Sequence, residues 1–503
     1  MDLSDLIARN AAFTPHMVAL RYGRGSLTYA AFAERIAAAA RALKSVLGVG
    51  RGDRIAILAA NHPDYLVLLY ACARLGALLV PLNWRLAVPE QLFILADASV
   101  KALLLQDAFA ALAALLHEKH PDVRIVRLAE DAGRDTFDDL LAQGRGDERN
   151  PHVDMTSPLL LVYTSGTTGR PKGAVLRQEA LFWNAVMSQH MHDLTAGDHV
   201  LTVLPLFHVG GLNIQTTPAL QFGASVTLHA RFDPGAALAA IASERPTLLV
   251  LVPATLQALI EHPTFAATDL SSLRAVTTGS TQVPQALIDA LTARSVPVLQ
   301  VYGSTETSPI AIYTRLGGDL SRAGSTGLPG LCCEARIVDE SGAEAPHGTA
   351  GEVTVRGPNV FFEYWGNQTA TGEALREGWY FSGDIGRRDA DGYFTIVDRK
   401  KNLIISGGEN IYPAEIERVL LDHPAVAEAA VIGRPDPRWQ EVPVAYVVRH
   451  ARARVSGEEI TAHVAGELAR FKVPREVIFV DALPRNALGK VQHFLLRQMT
   501  GPR

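Results

Sequence analysis

The sequence predicts an α/β fold, with a large N-terminal domain of helix-covered sheets, a β-rich subdomain, and a small mobile α+β lid domain at the C-terminus. Helix-like and strand-like patterns alternate through the first 150 residues and again from Leu159 to about Val301, which favours parallel sheets covered by helices. In residues 350–397 the predicted elements are shorter, turn-forming residues are frequent, and the pattern is typical of strands. The last hundred residues carry their own helix and strand signals, and these predict a separate small unit.

Capping and turn residues bound the elements of the N-terminal part. Thr28 can cap an amphipathic helix, and residues 54–58 follow as a strand. Residues 65–75 predict another helix, which Gly76 ends, and residues 77–81 predict the next strand. This stretch is the most apolar of the chain, but it is too short and too interrupted by charge for a typical membrane span. We therefore expect a buried helix followed by a strand.

The C-terminal elements begin at equally specific residues. Pro413 opens a helix, and Ser456 with Glu459 forms a capping-box pattern before a second helix. Strand-like runs surround these helices at residues 429–432, 442–448 and 477–480. We expect the chain to divide into an N-terminal domain of residues 1–398 and a lid domain of residues 399–503.

Composition limits the functions that the chain can serve. Its 503 residues, of which 48% are hydrophobic and 20% charged, suit a globular protein of two or three domains. The formal net charge of −5, with both signs interspersed, provides no field for a nucleic-acid backbone, so we expect no polynucleotide partner. Three cysteines without a C-x-x-C spacing, and no secretory signal pattern, favour a reducing compartment, the cytoplasm.

The strongest local motif is the run YTSGTTGRPKG at residues 163–173. Its glycines let a backbone approach an anion closely, its hydroxyl side chains can donate hydrogen bonds, and Lys172 supplies a positive charge. It is not a Walker A loop, because Lys172 is followed by glycine and the glycine spacing differs. The run predicts a phosphate-binding loop made by Thr164, Ser165, Gly166, Thr167, Thr168, Gly169 and Lys172.

Five further motifs follow this run in a fixed order. They occupy the ranges Leu204–His208, Tyr302–Thr307, Tyr380–Asp384, Asp398–Asn410 and Pro484–Lys490. With this ordered set the chain resembles the adenylate-forming superfamily of acyl-CoA synthetases, adenylation domains and luciferases, and it is similar to the acyl-CoA synthetase branch over nearly its whole length. The resemblance implies an AMP-forming acid:CoA ligase. Such an enzyme uses ATP to turn a carboxylic acid into an acyl-adenylate, and then into an acyl-CoA thioester, with release of pyrophosphate and AMP.

Three alternatives stay open at this point. A stand-alone adenylating enzyme would load a carrier-protein thiol instead of CoA, and a luciferase-like oxygenase would work from the adenylate. A non-catalytic nucleotide-binding paralogue is the third, although the joint presence of Lys172, Glu306, Asp384 and Lys490 argues against it. The sequence also leaves the oligomeric state open, a homodimer included.

The resemblance implies an ATP site assembled from most of these motifs. Glu306 is a hard oxygen ligand suited to Mg²⁺, Asp384 would hold the ribose hydroxyls, and Tyr302 would lie against the adenine. Lys490 is the principal catalytic candidate, because an ammonium that reaches both the carboxylate and the α-phosphate stabilises the transition state more than the ground state. The resemblance further implies ATP contacts at Gly279, Ser280, Gly303, Thr305 and Arg399, and catalytic contributions from Thr164 and His208.

The resemblance also implies that residues of the C-terminal domain take part in thioester formation. The resemblance places CoA contacts at Ser406, Gly407, Gly408, Trp439, Arg85 and Lys472. Adjacent glycines suit a narrow tunnel beside the backbone, through which the pantetheine arm would pass. Lys401 would be the hinge about which the lid turns between the two half-reactions.

The resemblance also implies an acyl pocket formed by Trp183, His208, Val209, Gly210, Gly211, Thr278, Val301, Gly303, Ser308 and Pro309. This set contains no Lys, Arg, Asp or Glu, so a charged far end of the substrate would be buried without a partner. Diacids and amino acids are therefore disfavoured. The glycines at 210 and 211 leave room for a ring or a chain, and the choice between an aromatic or phenylpropenoic acid and a medium- or long-chain fatty acid stays open.

Overall fold

The structure, a computed structural model, describes residues 1–119, 121–128, 136–164, 171–280, 283–322, 324–406, 409–437, 439–451, 453–468, 470–485 and 490–499. The chain forms two compact units. Unit 1 comprises Met1–Ala335 and Val355–Phe381, and unit 2 comprises Arg336–Thr354 and Ser382–Arg503. The domain boundary after residue 398 stays a prediction.

Two large sheets form the framework of unit 1. The first has nine strands, in the order Leu328–Pro329, Ile312–Tyr313, Val298–Tyr302, Ala275–Gly279, Leu248–Leu251, His199–Thr202, Ser225–Leu228, Val18–Tyr22 and Gly25–Thr28. The second has seven, in the order Glu363–Tyr364, Lys172–Arg177, Pro158–Thr164, Leu78–Pro81, Arg54–Leu58, Ala102–Gln106 and Arg124–Leu128. Their central strands pair in parallel and are almost wholly buried, as expected where helices cover both faces.

The helices of unit 1 alternate with these strands along the chain. They span Ser4–Phe13, Tyr29–Ser45, Pro63–Leu75, Val88–Asp97, Ala110–Lys119, Phe137–Gln143, Gln178–His192, Val209–Gly211, Thr217–Gln221, Pro234–Glu244, Pro253–Ile260, Gln285–Thr292 and Gln368–Ala374. One hydrophobic core lies between the first sheet and its helices and includes Leu201, Ile241 and Leu249. The alternation of helices and strands predicted from the sequence is confirmed.

The predicted helix ends also agree with the structure. Thr28 accepts a hydrogen bond from the Ala31 N–H at 3.2 Å, and the helix begins at Tyr29. Gly76 ends the helix Pro63–Leu75 in the left-handed conformation, with φ of 70°, where a glycine carries no Cβ penalty. This apolar helix is buried and is followed by a buried strand. Within the described ranges, no helix is both long and apolar enough to cross a bilayer.

Most of unit 2 is a small α+β arrangement of one sheet and its helices. Its sheet contains Glu409–Ile411, Ile404–Ser406, Gln440–Arg449, Val426–Asp436 and Glu476–Phe479. Its helices are Pro413–Leu421, Gly457–Glu467 and His493–Met499. Ser456 and Glu459 form the expected capping box, with Glu459 N–H donating to Ser456 Oγ at 3.2 Å. The helix and strand positions predicted for this region are therefore confirmed.

Strands between residues 334 and 399 form the β-rich region that the sequence predicts. They are Glu334–Val338, Gly351–Arg356, Leu375–Arg376, Trp379–Arg388 and Phe394–Arg399. Three of them, the first, the second and the fourth, begin in one unit and end in the other. The chain thus passes between the units in extended strands.

Candidate active site

The loop after the strand Val298–Tyr302 carries the predicted metal ligand. Gly303 follows the strand directly, and a Cβ at this position would lie 1.7 Å from the carbonyl oxygen of Pro309. Only glycine permits this close approach of two backbones. A single 3₁₀ turn, Thr305–Thr307, comes next, and Ser304 N–H donates to Thr307 Oγ1 at 2.9 Å. Glu306 is therefore presented from a tight and well-defined turn.

Two buried asparagines hold this loop, and neither was predicted from the sequence. Asn359 Nδ2 donates to the carbonyl oxygens of Thr307 and Ile310 at 3.0 and 2.8 Å. Asn184 Oδ1 accepts a hydrogen bond from Ile310 N–H at 3.1 Å. Both side chains are fully buried. Because a buried unpaired amide is costly, these bonds fix the loop backbone strongly.

Glu306 itself is buried, with 7% of its surface exposed. Its Oε1 accepts a hydrogen bond from the hydroxyl of Tyr364 at 2.8 Å. Burial, and then the negative charge of Glu306, raise the pKa of the Tyr364 phenol well above its usual range. The phenol therefore stays protonated and donates to the carboxylate throughout the physiological pH range.

The strand that follows the predicted phosphate-binding loop brings Lys172 close to Tyr364. Thr164 ends one strand of a hairpin and Lys172 begins the other, and the two residues face each other in the antiparallel register. Lys172 Nζ lies 5.3 Å from the ring centroid of Tyr364. Tyr364 therefore contacts both the predicted phosphate-binding lysine and the predicted metal ligand. The intervening candidates Ser165, Gly166, Thr167, Thr168 and Gly169 lie outside the described residues.

The predicted adenine-side residues follow two neighbouring parallel strands. Gly279, opposite Val301 in the register, ends one strand, and Tyr302 ends the other. A Cβ on Gly279 would lie 2.2 Å from the Val301 carbonyl oxygen, so this glycine is required by backbone packing. Ser280 has a left-handed φ of 78°. These residues and the Thr305 turn lie at the carboxyl ends of the strands, where ligands bind in open α/β sheets.

Several predicted acyl-pocket residues are deeply buried. Thr278 and Ser308 are 0% exposed, and within the described part of the chain neither hydroxyl oxygen has a hydrogen-bond partner. Val209 and Val301 are buried as well. Trp183 differs from these, since 37% of its surface is exposed and its ring packs edge-on against Phe182.

A π-helical turn, Leu212–Thr216, follows the paired glycines of the pocket. Such turns free backbone carbonyls from the regular ladder. Side chains of the helix Gln178–His192 satisfy two of them: Asn184 Nδ2 donates to Asn213 O at 2.6 Å and Ser188 Oγ to Ile214 O at 2.5 Å. The turn is therefore fixed by buried hydrogen bonds.

His192 connects this turn to the adjacent strand. Its Nδ1 lies 2.7 Å from Ser188 O, and its Nε2 lies 2.8 Å from Thr277 Oγ1 and 3.1 Å from Gln215 Nε2. Complete burial lowers the pKa of His192 to about 4. The ring is therefore neutral at pH 7, donates from Nδ1 and accepts at Nε2. This polar layer was not predicted from the sequence.

The two pocket glycines occupy different environments. Among the described residues, a Cβ on Gly210 would have only Ile214 Cδ1 within 4.0 Å, whereas a Cβ on Gly211 would lie 2.3 Å from the Pro205 carbonyl oxygen. We expect Gly211→Ala to destabilise the fold by about 1–3 kcal/mol, and Gly210→Ala to be tolerated while it narrows the range of accepted acids. Urea unfolding and an acid series measure the two effects. Equal destabilisation by both substitutions would contradict this distinction.

In unit 2, the predicted ribose ligand is paired with a second predicted residue. Asp384 Oδ1 lies 3.1 Å from Arg399 Nε, and the two residues are partners in the antiparallel register. Asp384 follows Gly383, whose φ of 70° turns the backbone. The carboxyl group of Asp398 accepts a hydrogen bond from the N–H of Ala414 at 2.8 Å. Thus Asp398 ties the segment before Lys401 to the first turn of the helix Pro413–Leu421.

The remaining candidates of unit 2 are placed as follows. Lys490 is partly buried, and Ser406 is buried. The Trp439 N–H donates to Asp436 Oδ1 at 2.9 Å. Lys472 Nζ is held by both carboxylate oxygens of Glu415, at 2.6 and 2.7 Å, so it would have to leave this ion pair to bind a phosphate. Gly407 and Gly408 lie outside the described residues, as does the side chain of Lys401.

Arg85, in unit 1, lies beside a second cation that the sequence did not reveal. The Arg85 and Arg231 guanidinium carbons lie 4.9 and 4.5 Å from the ring centroid of Trp84. Burial, and then the charge of Arg231, lower the pKa of Arg85. Trp84 also packs edge-on against Phe207, the residue before His208. This cluster concentrates positive charge around Trp84, beside Phe207.

The chain is similar to known proteins over nearly its whole length. The model of the family described as AMP-binding enzyme matches residues 7–365, and that of the AMP-binding enzyme C-terminal domain matches residues 415–490. Indoleacetate–CoA ligase of Aromatoleum aromaticum is 48% identical over 99% of this chain and 98% of its own length. Feruloyl-CoA synthase of an Amycolatopsis species is 42% identical over 98% of both chains.

A solved structure is also similar to this chain over nearly its whole length. O-succinylbenzoate coenzyme A synthetase of Bacillus subtilis, in complex with ATP and magnesium ion, has a TM-score of 0.87 and 33% identity, covering 99% of each chain. The fold class predicted from the sequence is thereby confirmed, and so is the enzyme class, an AMP-forming acid:CoA ligase. The roles of individual site residues stay predictions. The chain belongs to the AMP-binding enzyme family.

Proposed function

We propose that this ligase activates an aryl-substituted carboxylic acid that carries a polar group, such as an indole or phenolic acid, rather than a fatty acid or a diacid. The observation that carries the proposal is the pair of buried hydroxyls on Thr278 and Ser308, for which the described residues provide no hydrogen-bond partner. An alkyl chain would leave these oxygens unsatisfied, whereas a substrate N–H or O–H group would pair with one of them.

One further fact supports an aromatic substrate, and another argues against a diacid. The relatives with 48% and 42% identity are named for indoleacetate and ferulate, which are both aromatic acids. The predicted pocket residues carry no full charge, so a second carboxylate would be buried without a partner. We further infer that the reaction takes place in the cytoplasm, in keeping with the free thiols of all three cysteines.

ATP would bind with Mg²⁺ on the residues at the carboxyl ends of the strands. Mg²⁺ is usually held by one or two carboxylates together with phosphate oxygens and water, so the single buried carboxylate of Glu306 suits it. When bound, the ion neutralises phosphate charge and thereby makes the α-phosphate more reactive toward an anionic carboxylate. Glu306 would hold the ion, and Lys172 would neutralise phosphate oxygens.

Other residues of this chain would orient the reactants and stabilise charge. Tyr302 stacks on the adenine, and Asp384 accepts hydrogen bonds from the ribose hydroxyls. Lys490 donates to the α-phosphate oxygens and to the attacking carboxylate as charge develops between them. The thioester then forms when the thiol of CoA attacks the acyl carbonyl and AMP leaves.

CoA would be the acceptor of the acyl group, and its phosphates would be bound by cations. Arg85 is the better candidate for this role, because Arg231 lies beside it and adds a second positive charge next to the same ring. Lys472 is less suited, since Glu415 already neutralises it. Lys401 as the hinge, and Ser406 to Gly408 as the passage for pantetheine, stay predictions.

The proposal predicts a ranking of acids. With purified enzyme, ATP, Mg²⁺ and CoA, we expect kcat/KM for indoleacetate or ferulate to exceed that of a fatty acid of similar size by about tenfold or more, the discrimination typical of a site with unsatisfied polar groups. The measurement is CoA-dependent AMP release over a panel that also contains two diacids, the aromatic 2-succinylbenzoate and an aliphatic dicarboxylate. A preference for the fatty acid would refute the proposed substrate class. AMP release that depends on a carrier protein and not on CoA would instead favour the stand-alone adenylating enzyme.

A further inference from the structure

Tyr364 contacts two charged residues of opposite sign. Its hydroxyl donates to Glu306 Oε1 at 2.8 Å, and the face of its ring lies 5.3 Å from Lys172 Nζ. One side chain thus contacts a carboxylate through its hydroxyl and an ammonium through its ring.

The backbone and the ring of Tyr364 are both fixed by unit 1. The strand Glu363–Tyr364 pairs with the strand that Lys172 begins, with Tyr364 opposite Ala174. The Tyr364 N–H donates to Thr371 Oγ1 at 2.9 Å. Its ring centroid lies 4.7 Å from that of Phe361. The phenol therefore has little freedom to turn away from Glu306.

We propose that Tyr364 is a positioning residue, which holds Glu306 for the metal ion with its hydroxyl and Lys172 for the phosphates with its ring. The inference rests on the proposed role of Glu306 as the Mg²⁺ ligand. A hydrogen bond from outside the coordination sphere orients a metal-binding carboxylate and leaves its other oxygen for the ion. The negative face of an aromatic ring attracts an ammonium without neutralising it by a carboxylate.

Two substitutions separate the hydroxyl from the ring. Tyr364→Phe removes the hydrogen bond to Glu306 and keeps the aromatic face for Lys172, whereas Tyr364→Leu removes both. Tyr29→Phe is the control, since Tyr29 is also a buried tyrosine, belongs to none of the motifs, and donates its hydroxyl hydrogen to the Ala224 carbonyl oxygen at 2.8 Å. Thermal unfolding of each variant reports whether the fold is retained.

The readout is the binding of α,β-methylene-ATP, measured by calorimetry in EDTA and over a series of Mg²⁺ concentrations. We expect Tyr364→Phe to reduce the affinity for Mg²⁺ in the nucleotide complex by about 10- to 100-fold, with metal-free nucleotide affinity close to that of the wild type. Tyr364→Leu is expected to lower the metal-free affinity as well. Tyr29→Phe should leave both quantities unchanged.

A double-substitution cycle tests whether Tyr364 acts through Glu306. In the Glu306→Gln background, Tyr364→Phe should cause little further loss of Mg²⁺ affinity, because residues acting as one unit are not additive. Wild-type Mg²⁺ dependence in Tyr364→Phe, an equal loss in Tyr29→Phe, or a full additional loss in the double variant would each overturn the inference. If Glu306→Gln itself keeps wild-type Mg²⁺ affinity, the proposed metal site fails first.

Discussion

Replacing Lys490 by alanine is expected to abolish most of the adenylation activity, by about a thousandfold or more. The ammonium is needed when negative charge builds on the α-phosphate while the carboxylate approaches, and it contributes nothing comparable when a thiol attacks the finished adenylate. Pyrophosphate exchange measures the first half-reaction. Thioester formation from supplied acyl-adenylate and CoA measures the second, which we expect to be much less affected.

Lys400→Ala provides the control for the loss of a lysine in unit 2. The Lys400 side chain is 56% exposed and pairs with Glu352 at 2.9 Å, so its removal should leave pyrophosphate exchange near the wild-type rate, as is usual for exposed ion pairs. Wild-type exchange in Lys490→Ala would refute the catalytic assignment. An equal loss of both half-reactions would show that Lys490 supports the structure or the nucleotide site in general.

The second large effect is expected for Glu306→Gln. This substitution keeps an oxygen that can accept the Tyr364 hydrogen bond, but it removes the negative charge that attracts Mg²⁺. We expect adenylation at a fixed Mg²⁺ concentration to fall by about 100- to 1,000-fold, the usual range for loss of one preorganised electrostatic contact. Part of the activity should return as the Mg²⁺ concentration is raised. Pyrophosphate exchange over a Mg²⁺ series measures both effects.

Glu363→Gln is the matched control, because it makes the same change of charge at the residue before Tyr364. Glu363 is only partly buried and is not among the predicted ligands. The assignment of Glu306 would be wrong if Glu306→Gln retained wild-type exchange, or if the loss did not depend on Mg²⁺. A similar loss in Glu363→Gln would indicate a general electrostatic effect of this strand.

The order of the motifs was enough to identify the enzyme class, because each motif consists of neighbouring residues whose chemistry can be read locally. The run containing Lys172 and the turn containing Glu306 are of this kind. Helix ends were predictable for the same reason, since a cap such as Thr28 or Gly76 satisfies backbone groups only a few residues away.

Residues that support the site from distant parts of the chain could not be predicted in this way. Tyr364 is 58 residues from Glu306, and Asn359 is 52 residues from Thr307. Neither carries a local signal, because a tyrosine or an asparagine has the same propensities wherever its partner lies. The same holds for Arg231, which reaches Trp84 from another part of the chain.

Gly210 and Gly211 show most directly how local sequence properties differ from what tertiary packing decides. The sequence by itself determined the class of fold, the family and the phosphate-binding and metal-binding candidates, because periodicity, caps and compact motifs are local properties. Only the tertiary structure decided that Gly211 faces the Pro205 carbonyl while Gly210 faces the end of the Ile214 side chain at an ordinary contact distance, and that Tyr364 contacts both Glu306 and Lys172. These facts depend on how separate strands and turns pack, and packing places atoms by distances that no single stretch of sequence contains.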